Sequence, residues 1–239
     1  MRILAGTSGF AFKEWKGPFY PEDLSDKQFL AYYASRFPTV EINNTFYQLP
    51  KEAVIKSWAD QVPETFQFTI KASRRITHFA RLKPESAETV QYMIRTVATL
   101  GARLGPILFQ LPPNLKLELD RLRAFLAVLP QGHRYAMEFR HDSWFIDDVV
   151  SALHEHNVAH VAIEQEDFSS PMPSTASWGY VRFHRMDYSP ADLVERAKRV
   201  AAMGWSEAYV FFKHDHTPEA GSGPLAVDAF VRAVSFPSA

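Results

Sequence analysis

The chain has 239 residues, 46% of them hydrophobic, which is enough for one large domain or two small ones with a substantial core. It contains no cysteine, and this excludes disulfides, thiolate metal ligands and a cysteine nucleophile. The 26 basic and 27 acidic residues give a formal net charge of -1, which argues against a general affinity for nucleic acid or anionic membranes but permits a local basic pocket.

Eight short apolar runs, rich in β-branched and aromatic residues, have the composition of buried parallel strands. In chain order they are ILAGTS from Ile3, TVEIN from Thr39, FQFTIK from Phe66, PILFQL from Pro106, RYAMEF from Arg134, NVAHVAIE from Asn157, GYVRFH from Gly179 and AYVFFK from Ala208.

Segments with helical periodicity separate most of these runs. Apolar residues recur at helical spacing over 90–100, 119–129 and 146–153, and Ser189-Pro190 is a typical cap and first turn for a helix ending near Gly204. The segment from Gln165 to Ser177 differs, because it is short, rich in serine and contains two prolines. We therefore expect the sixth helix to be missing or reduced to a turn.

Eight strand–helix units at about 30 residues each predict a single α/β domain over residues 1–239, folded as a closed (β/α)8 barrel of TIM type. Its sixth helical unit should be irregular and shortened. An open, doubly wound sheet is the alternative. It is disfavoured because Thr7-Ser8-Gly9-Phe10 follows the first strand in place of a Gly-x-Gly-x-x-Gly turn.

Functional residues of such a barrel lie at the carboxyl ends of the strands, where this chain has many polar side chains. Side chains two apart on a strand share a face. This rule pairs Glu41 with Asn43, Glu138 with Arg140, and Arg182 with His184. A polar pocket at the barrel mouth is the expected result, and the alternative for any one residue is an internal ion-pair network that only fixes the strands.

The chemistry of these residues suggests roles for them. Glu41, Glu138 and His184 are the candidate catalytic residues, with the two glutamates as general acid and base or as metal ligands. Lys71, Arg140 and Arg182 would supply positive charge for an anionic ligand. The other predicted substrate-binding residues are Asn43, Tyr47, His78, Gln110 and Trp144, the aromatic ones serving as flat walls if they are not simply packing.

Cofactor and metal signals are weak. The sequence has no His-Glu-x-x-His, P-loop or Gly-x-Ser-x-Gly motif, so no nucleotide cofactor is expected, while a divalent metal remains possible. His214-Asp215-His216 has the composition of a metal site, but adjacent loop residues seldom converge on one ion. No apolar stretch is long enough to span a membrane and the N-terminus does not resemble a signal peptide, so we expect a cytoplasmic protein without membrane association.

Several blocks of the sequence resemble the YecE-like family, known as domain of unknown function 72. They are Gly6-Thr7-Ser8-Gly9-Phe10, Trp15-x-Gly17-x-Phe19-Tyr20-Pro21, Val40-Glu41-Ile42-Asn43-Asn44-Thr45-Phe46-Tyr47, Phe66-x-Phe68-x-x-Lys71, Ile76-Thr77-His78, Gln110-Leu111-Pro112-Pro113, Glu138-Phe139-Arg140-His141-x-Ser143-Trp144 and Tyr180-Val181-Arg182-Phe183-His184. The resemblance covers nearly the whole chain and implies a (β/α)8 barrel, but it supplies no reaction. Two positions depart from the family pattern, Arg185 after strand seven and Lys213-His214-Asp215 at the end of strand eight.

Three functional hypotheses follow. The first is an enzyme that performs acid–base chemistry, of hydrolase or lyase type, on a small substrate bearing a phosphate or carboxylate. The second is a metal-dependent nucleic-acid phosphodiester enzyme, which rests on fold analogy and is not favoured. The third is a non-catalytic protein that binds an anion. The oligomeric state stays open.

Overall fold

The computed structural model describes residues 1–213 and 221–235, which form eight β-strands and seven α-helices. The strands are β1 Arg2–Thr7, β2 Thr39–Ile42, β3 Gln67–Lys71, β4 Leu104–Gln110, β5 Tyr135–Glu138, β6 Ala159–Glu164, β7 Trp178–Phe183 and β8 Glu207–Phe212. The helices are α1 Phe29–Arg36, α2 Glu52–Ala59, α3 Ala87–Ala98, α4 Leu119–Ala127, α5 Asp147–Glu155, α6 Pro190–Ala201 and α7 Gly223–Ser235.

The strands form one parallel sheet in the order β1-β8-β7-β6-β5-β4-β3-β2, which curls into a barrel with β1 and β2 side by side. The prediction of a TIM-type barrel is confirmed. Residues 165–177, between β6 and β7, contain no helix, so the expected irregularity of the sixth unit is confirmed as well. The helix cap predicted at Ser189 is a capping box, in which Ser189 and Asp192 exchange side-chain and backbone hydrogen bonds.

Apolar side chains fill two layers, because each strand is covered on both faces. Inside the barrel pack side chains such as Leu4, Leu108 and Phe211. The larger layer lies between the sheet and the helices. Within the described ranges 1–213 and 221–235, no helix is long and apolar enough to cross a membrane.

The seam between β1 and β2 is closed by side chains and one isolated bridge between Ser8 and Glu41. The buried hydroxyl of Tyr33 accepts a hydrogen bond from the Thr7 amide at 2.7 Å and donates one to the Thr39 carbonyl at 3.2 Å. A Cβ atom at Gly6 would lie 2.1 Å from the Thr39 carbonyl oxygen, so only glycine permits this approach. The seam therefore sets Ser8 beside Glu41 at the carboxyl end of the barrel.

Candidate active site

Polar side chains from seven strands meet at the carboxyl end of the barrel, where parallel strands of this fold carry their functional groups. They are Ser8 after β1, Glu41 on β2, Lys71 on β3, Gln110 on β4, Glu138 and Arg140 at the end of β5, Gln165 after β6, Tyr180 and Arg182 on β7, and His184 directly after β7. We call this set the mouth cluster.

Arg182 lies at the centre of the mouth cluster and binds both predicted carboxylates. Its Nη2 atom is 2.6 Å from Oε1 of Glu41, and its Nη1 atom is 2.6 Å from Oε2 of Glu138. All three side chains are almost fully buried. A buried charge is costly without a partner, so each member of this ion triad offsets part of the cost of burying the others.

Each carboxylate oxygen of the triad accepts a hydrogen bond. Oε1 of Glu41 also accepts one from Ser8 Oγ at 2.8 Å, and its Oε2 accepts one from the Tyr180 hydroxyl at 2.5 Å. Oε1 of Glu138 accepts one from Nε of Arg140. The two glutamates are thus fixed in position by donors from four residues.

These contacts fix the charge states of the triad. Burial alone would raise the pKa of Glu138, but the charges of Arg182 and Arg140 outweigh it and lower the pKa to about 2. Burial would lower the pKa of Arg182, but Glu138 and Glu41 outweigh it and raise the pKa above the ordinary value. Burial, and then Glu41, raises the pKa of Tyr180, which therefore stays a neutral phenol.

His184 contacts the ion triad through Ser8. Its Nε2 atom is 3.0 Å from Ser8 Oγ, and Ser8 gives its only proton to Glu41, so Nε2 carries a hydrogen and donates to Ser8. Burial, followed by the charge of Arg182, lowers the pKa of His184 well below its ordinary value. The imidazole is therefore neutral, with the hydrogen on Nε2 and the lone pair on Nδ1.

Lys71 and Arg140 form the half-buried upper part of the mouth cluster. Arg140 donates through Nη1 to the Gln165 side chain, and its Nη2 atom has no partner within residues 1–213 and 221–235. Across the same ranges, Lys71 has no carboxylate oxygen within 4.0 Å, and its Nζ atom lies 4.6 Å from the centre of the Phe46 ring. Burial, and then the charge of Arg182, lowers the pKa of Lys71 to about 8.

Two of the predicted ligand contacts are placed differently by the structure. Arg182 was expected to bind an anion, but both Nη atoms bind carboxylates and the side chain is 3% exposed, so it holds the glutamates instead. Trp144 was expected to form a wall of the pocket, but it is 1% exposed and stacks on Phe139. Its indole N–H donates to the Leu115 carbonyl at 2.7 Å, so Trp144 packs in the core.

The remaining predicted contacts lie around the edge. Gln110 Oε1 is 3.5 Å from Arg182 Nη1, and Asn43 is half-buried at the end of β2. His78 lies in a π-helical turn over Arg75–Phe79 and packs edge-on against Phe46. Tyr47 is 68% exposed, and the Arg74 guanidinium lies over its ring. These residues surround the mouth rather than line its buried floor.

Three members of the mouth cluster were not assigned to the site from the sequence, namely Ser8, Tyr180 and Gln165. Tyr180 carries a usable signal, because it is two residues before Arg182 and shares its face of β7. Ser8 and Gln165 follow their strands, where no periodicity fixes the direction of a side chain. Arg185, one of the two departures from the family pattern, lies 3.5 Å from Glu164.

Metal binding was left open by the sequence. Over residues 1–213 and 221–235, no group of three or more histidine, aspartate or glutamate side chains is arranged to hold a metal ion. Lys213 is half-buried at the end of β8, whereas the His214-Asp215-His216 motif lies outside the described residues.

A (β/α)8 barrel with a buried ion triad and two further cations, Lys71 and Arg140, at its carboxyl end defines a TIM-barrel protein with a candidate site at the usual end. Residues 4–236 match the family model described as protein of unknown function DUF72, and the chain belongs to this family. The resemblance noted in the sequence is thereby confirmed.

Named relatives of the chain come from two bacteria. It is 31% identical over 147 residues to UPF0759 protein YecE of Escherichia coli K12, covering 59% of this chain and 54% of YecE. It is 30% identical over 133 residues to UPF0759 protein YunF of Bacillus subtilis, covering 53% of this chain and 47% of YunF. The matches span about half the length of these curated relatives.

Solved structures agree with the fold. A DUF72 family protein of Thermotoga maritima superposes with a TM-score of 0.86 and 27% identity, covering 98% of this chain and 100% of its own. D-psicose 3-epimerase of Clostridium cellulolyticum superposes with a TM-score of 0.57 at 11% identity, covering 98% of this chain and 97% of its own. The second likeness reflects the barrel fold alone.

Proposed function

We propose that the chain is an enzyme that binds a small anionic substrate, bearing a phosphate or a carboxylate, at the mouth of the barrel. The proposed reaction is acid–base chemistry of hydrolase or lyase type. The observation that supports it best is the charge of the mouth cluster, in which the cations Lys71, Arg140 and Arg182 stand, among residues 1–213 and 221–235, with the carboxylates Glu41 and Glu138. Three cations against two carboxylates leave one positive charge, which an anion would neutralise.

Arg140 and Lys71 are the substrate contacts in this proposal. The free Nη2 atom of Arg140 can donate to an anion while Nε and Nη1 keep the guanidinium fixed on Glu138 and Gln165. A cation that is held in place by other contacts loses little entropy when it binds. Asn43, His78, Gln110 and Tyr47 complete the proposed contacts at the edge of the mouth.

The pKa of each group decides which part it can take in proton transfer. Glu138, with a pKa of about 2, stays a carboxylate near neutral pH, so its proposed role is to stabilise positive charge beside it and not to donate a proton. Lys71, with a pKa of about 8, can both donate and accept a proton, while His184 stays neutral and its proposed role is to hold Ser8 in place by a hydrogen bond. Ser8 links Glu41 to His184, because its hydroxyl donates a hydrogen bond to Glu41 and accepts one from His184.

Calorimetric titration of phosphate and malonate into the protein tests the proposal. We expect binding to the wild type and a loss of about tenfold or more in Arg140→Gln, since a charge-assisted hydrogen bond contributes about 1.5–3 kcal/mol. Arg123→Gln is the matched control, because Arg123 is an exposed arginine on α4. This variant should bind anions as tightly as the wild type does. Absence of anion binding by the wild type would contradict the proposal.

A non-catalytic anion-binding protein is the second candidate. All four carboxylate oxygens of Glu41 and Glu138 already accept hydrogen bonds from the protein. This favours the second candidate, because a fully hydrogen-bonded network is suited to stabilising the barrel. Turnover separates the two candidates, since only the enzyme would convert its ligand. A metal-dependent nuclease gains no support from the residues described, where no three-ligand group is present.

A further inference from the structure

Lys71 is the amine of the mouth cluster that makes no ion pair within residues 1–213 and 221–235. The reason lies in its neighbours, since the oxygens of Glu41 and Glu138 already accept from Arg182, Arg140, Ser8 and Tyr180. A surface lysine would be surrounded by water, but this side chain is half-buried beside the ion triad and the Phe46 ring. Lys71 is thus a lysine kept inside a site where no described carboxylate pairs with it, and its Nζ atom lies over the Phe46 ring.

The groups that face Lys71 come from several elements. Arg182 on β7 and Arg140 after β5 disfavour its ammonium form, while Glu138 and Glu41 favour it less strongly than burial and Arg182 oppose it. The resulting pKa is about 8. At pH 7 such a lysine holds on the order of 100-fold more free amine than one with the ordinary value.

We propose that Lys71 is a nucleophilic amine that forms a Schiff base with the carbonyl carbon of an anionic aldehyde or ketone. The inference rests on the proposed function and narrows it, because it names the substrate class that the mouth would accept. Buried lysines without a partner are suited to this chemistry, since a free amine is the reacting form. Arg140 would bind the carboxylate or phosphate of the same molecule.

The reaction balances without an oxidant or a reductant. The nitrogen lone pair of neutral Lys71 adds to the carbonyl carbon, and the electron pair of the C=O bond moves to the oxygen. That oxygen takes up the proton lost by the nitrogen. The hydroxyl group then leaves as water, with the second proton of the nitrogen, as the C=N bond forms.

Reductive trapping tests the inference. The wild-type protein is incubated at neutral pH with glyoxylate and cyanoborohydride, which converts an imine into a stable carboxymethyl-lysine, and all ten lysines are followed by peptide mass spectrometry. We expect Lys71 to be labelled about tenfold or more faster than Lys213, a half-buried lysine at the end of β8. Malonate, an anion without a reactive carbonyl, should slow the labelling of Lys71.

The variants separate the two proposals. Arg140→Gln should slow the labelling of Lys71 about tenfold, since the carboxylate of glyoxylate loses its contact, whereas Arg123→Gln should not change it. Labelling of Lys71 at or below the rate of Lys213 would overturn the Schiff-base inference. If malonate still bound the wild type more tightly than Arg140→Gln, that result would leave the proposed anion site standing.

Discussion

The Nη2 atom of Arg182 lies 2.6 Å from Oε1 of Glu41, although β8 and β1 separate their strands in the barrel. The same guanidinium reaches Glu138 on β5 with β6 in between. One side chain therefore connects three strands that do not touch in the sheet. It also forms ion pairs with both carboxylates. Arg140 shares Glu138 with it but keeps Nη2 free, and Lys71 makes no ion pair within residues 1–213 and 221–235, so these two cations have capacity for an outside anion.

Removing Arg182 should destabilise the protein strongly. Arg182→Met leaves two buried carboxylates with fewer partners, and breaking a buried ion pair in this way costs about 3–5 kcal/mol. Arg185→Met is the control, because Arg185 is partly exposed and its 3.5 Å pair with Glu164 is worth less than about 1 kcal/mol. Urea unfolding measures both variants, and equal losses would refute the cross-barrel role of Arg182.

The hydroxyl of Tyr33 should be needed to close the seam between β1 and β2. Tyr33→Phe leaves the Thr7 amide and the Thr39 carbonyl without this buried partner, and such a loss costs about 1–3 kcal/mol. Tyr32→Phe removes a hydroxyl whose contact is an exposed one with Arg36, so its unfolding free energy should stay near that of the wild type. A thermal or urea unfolding series decides, and a neutral Tyr33→Phe would show that the hydroxyl is dispensable.

His160 should make the folded state less stable in acid. It is buried between Phe139 and Phe145, and both ring nitrogens are unpartnered in the described parts of the chain. Burial lowers its pKa to about 4, so between about pH 6.5 and 4 the unfolded chain binds a proton that the native protein does not. The unfolding free energy therefore falls as the pH falls through this window, by about 3 kcal/mol at most.

Replacing His160 isolates its share of that loss. His184 and His78 also have lowered pKa values, so the wild-type slope contains their contributions too. His160→Phe should remove part of the slope between pH 6.5 and 4 and leave the remainder. A slope identical to that of the wild type would mean that His160 is not kept neutral by the fold.

Periodicity and composition predicted most of the barrel. The apolar runs gave the strands to within about two residues, because strands covered on both faces are continuously apolar. The serine- and proline-rich stretch after β6 predicted the missing helix for a local reason. The closing of the seam by Tyr33 was not predictable, since the spacing of one tyrosine on α1 says nothing about contacts with two strands.

The sequence predicted which residues belong to the site better than it predicted which of them form ion pairs with each other. Strand-end position brought Glu41, Glu138 and Arg182 to one end of the barrel, as parity on each strand requires. Which of the cations is bound by the carboxylates depends on distances across the barrel, and no spacing within one strand encodes them. For the same reason Trp144, which follows β5 in a polar motif, was expected at the mouth and instead packs on Phe139.

The most direct test of the anion site is a crystal structure of the protein grown or soaked with selenate, whose anomalous signal locates the ion without ambiguity. The account predicts a selenate within hydrogen-bonding distance of Arg140 Nη2 and close to Lys71 Nζ, with Arg182 still bound to both glutamates. Selenate found only on exposed arginines away from the mouth, with none at Arg140 and Lys71, would contradict it.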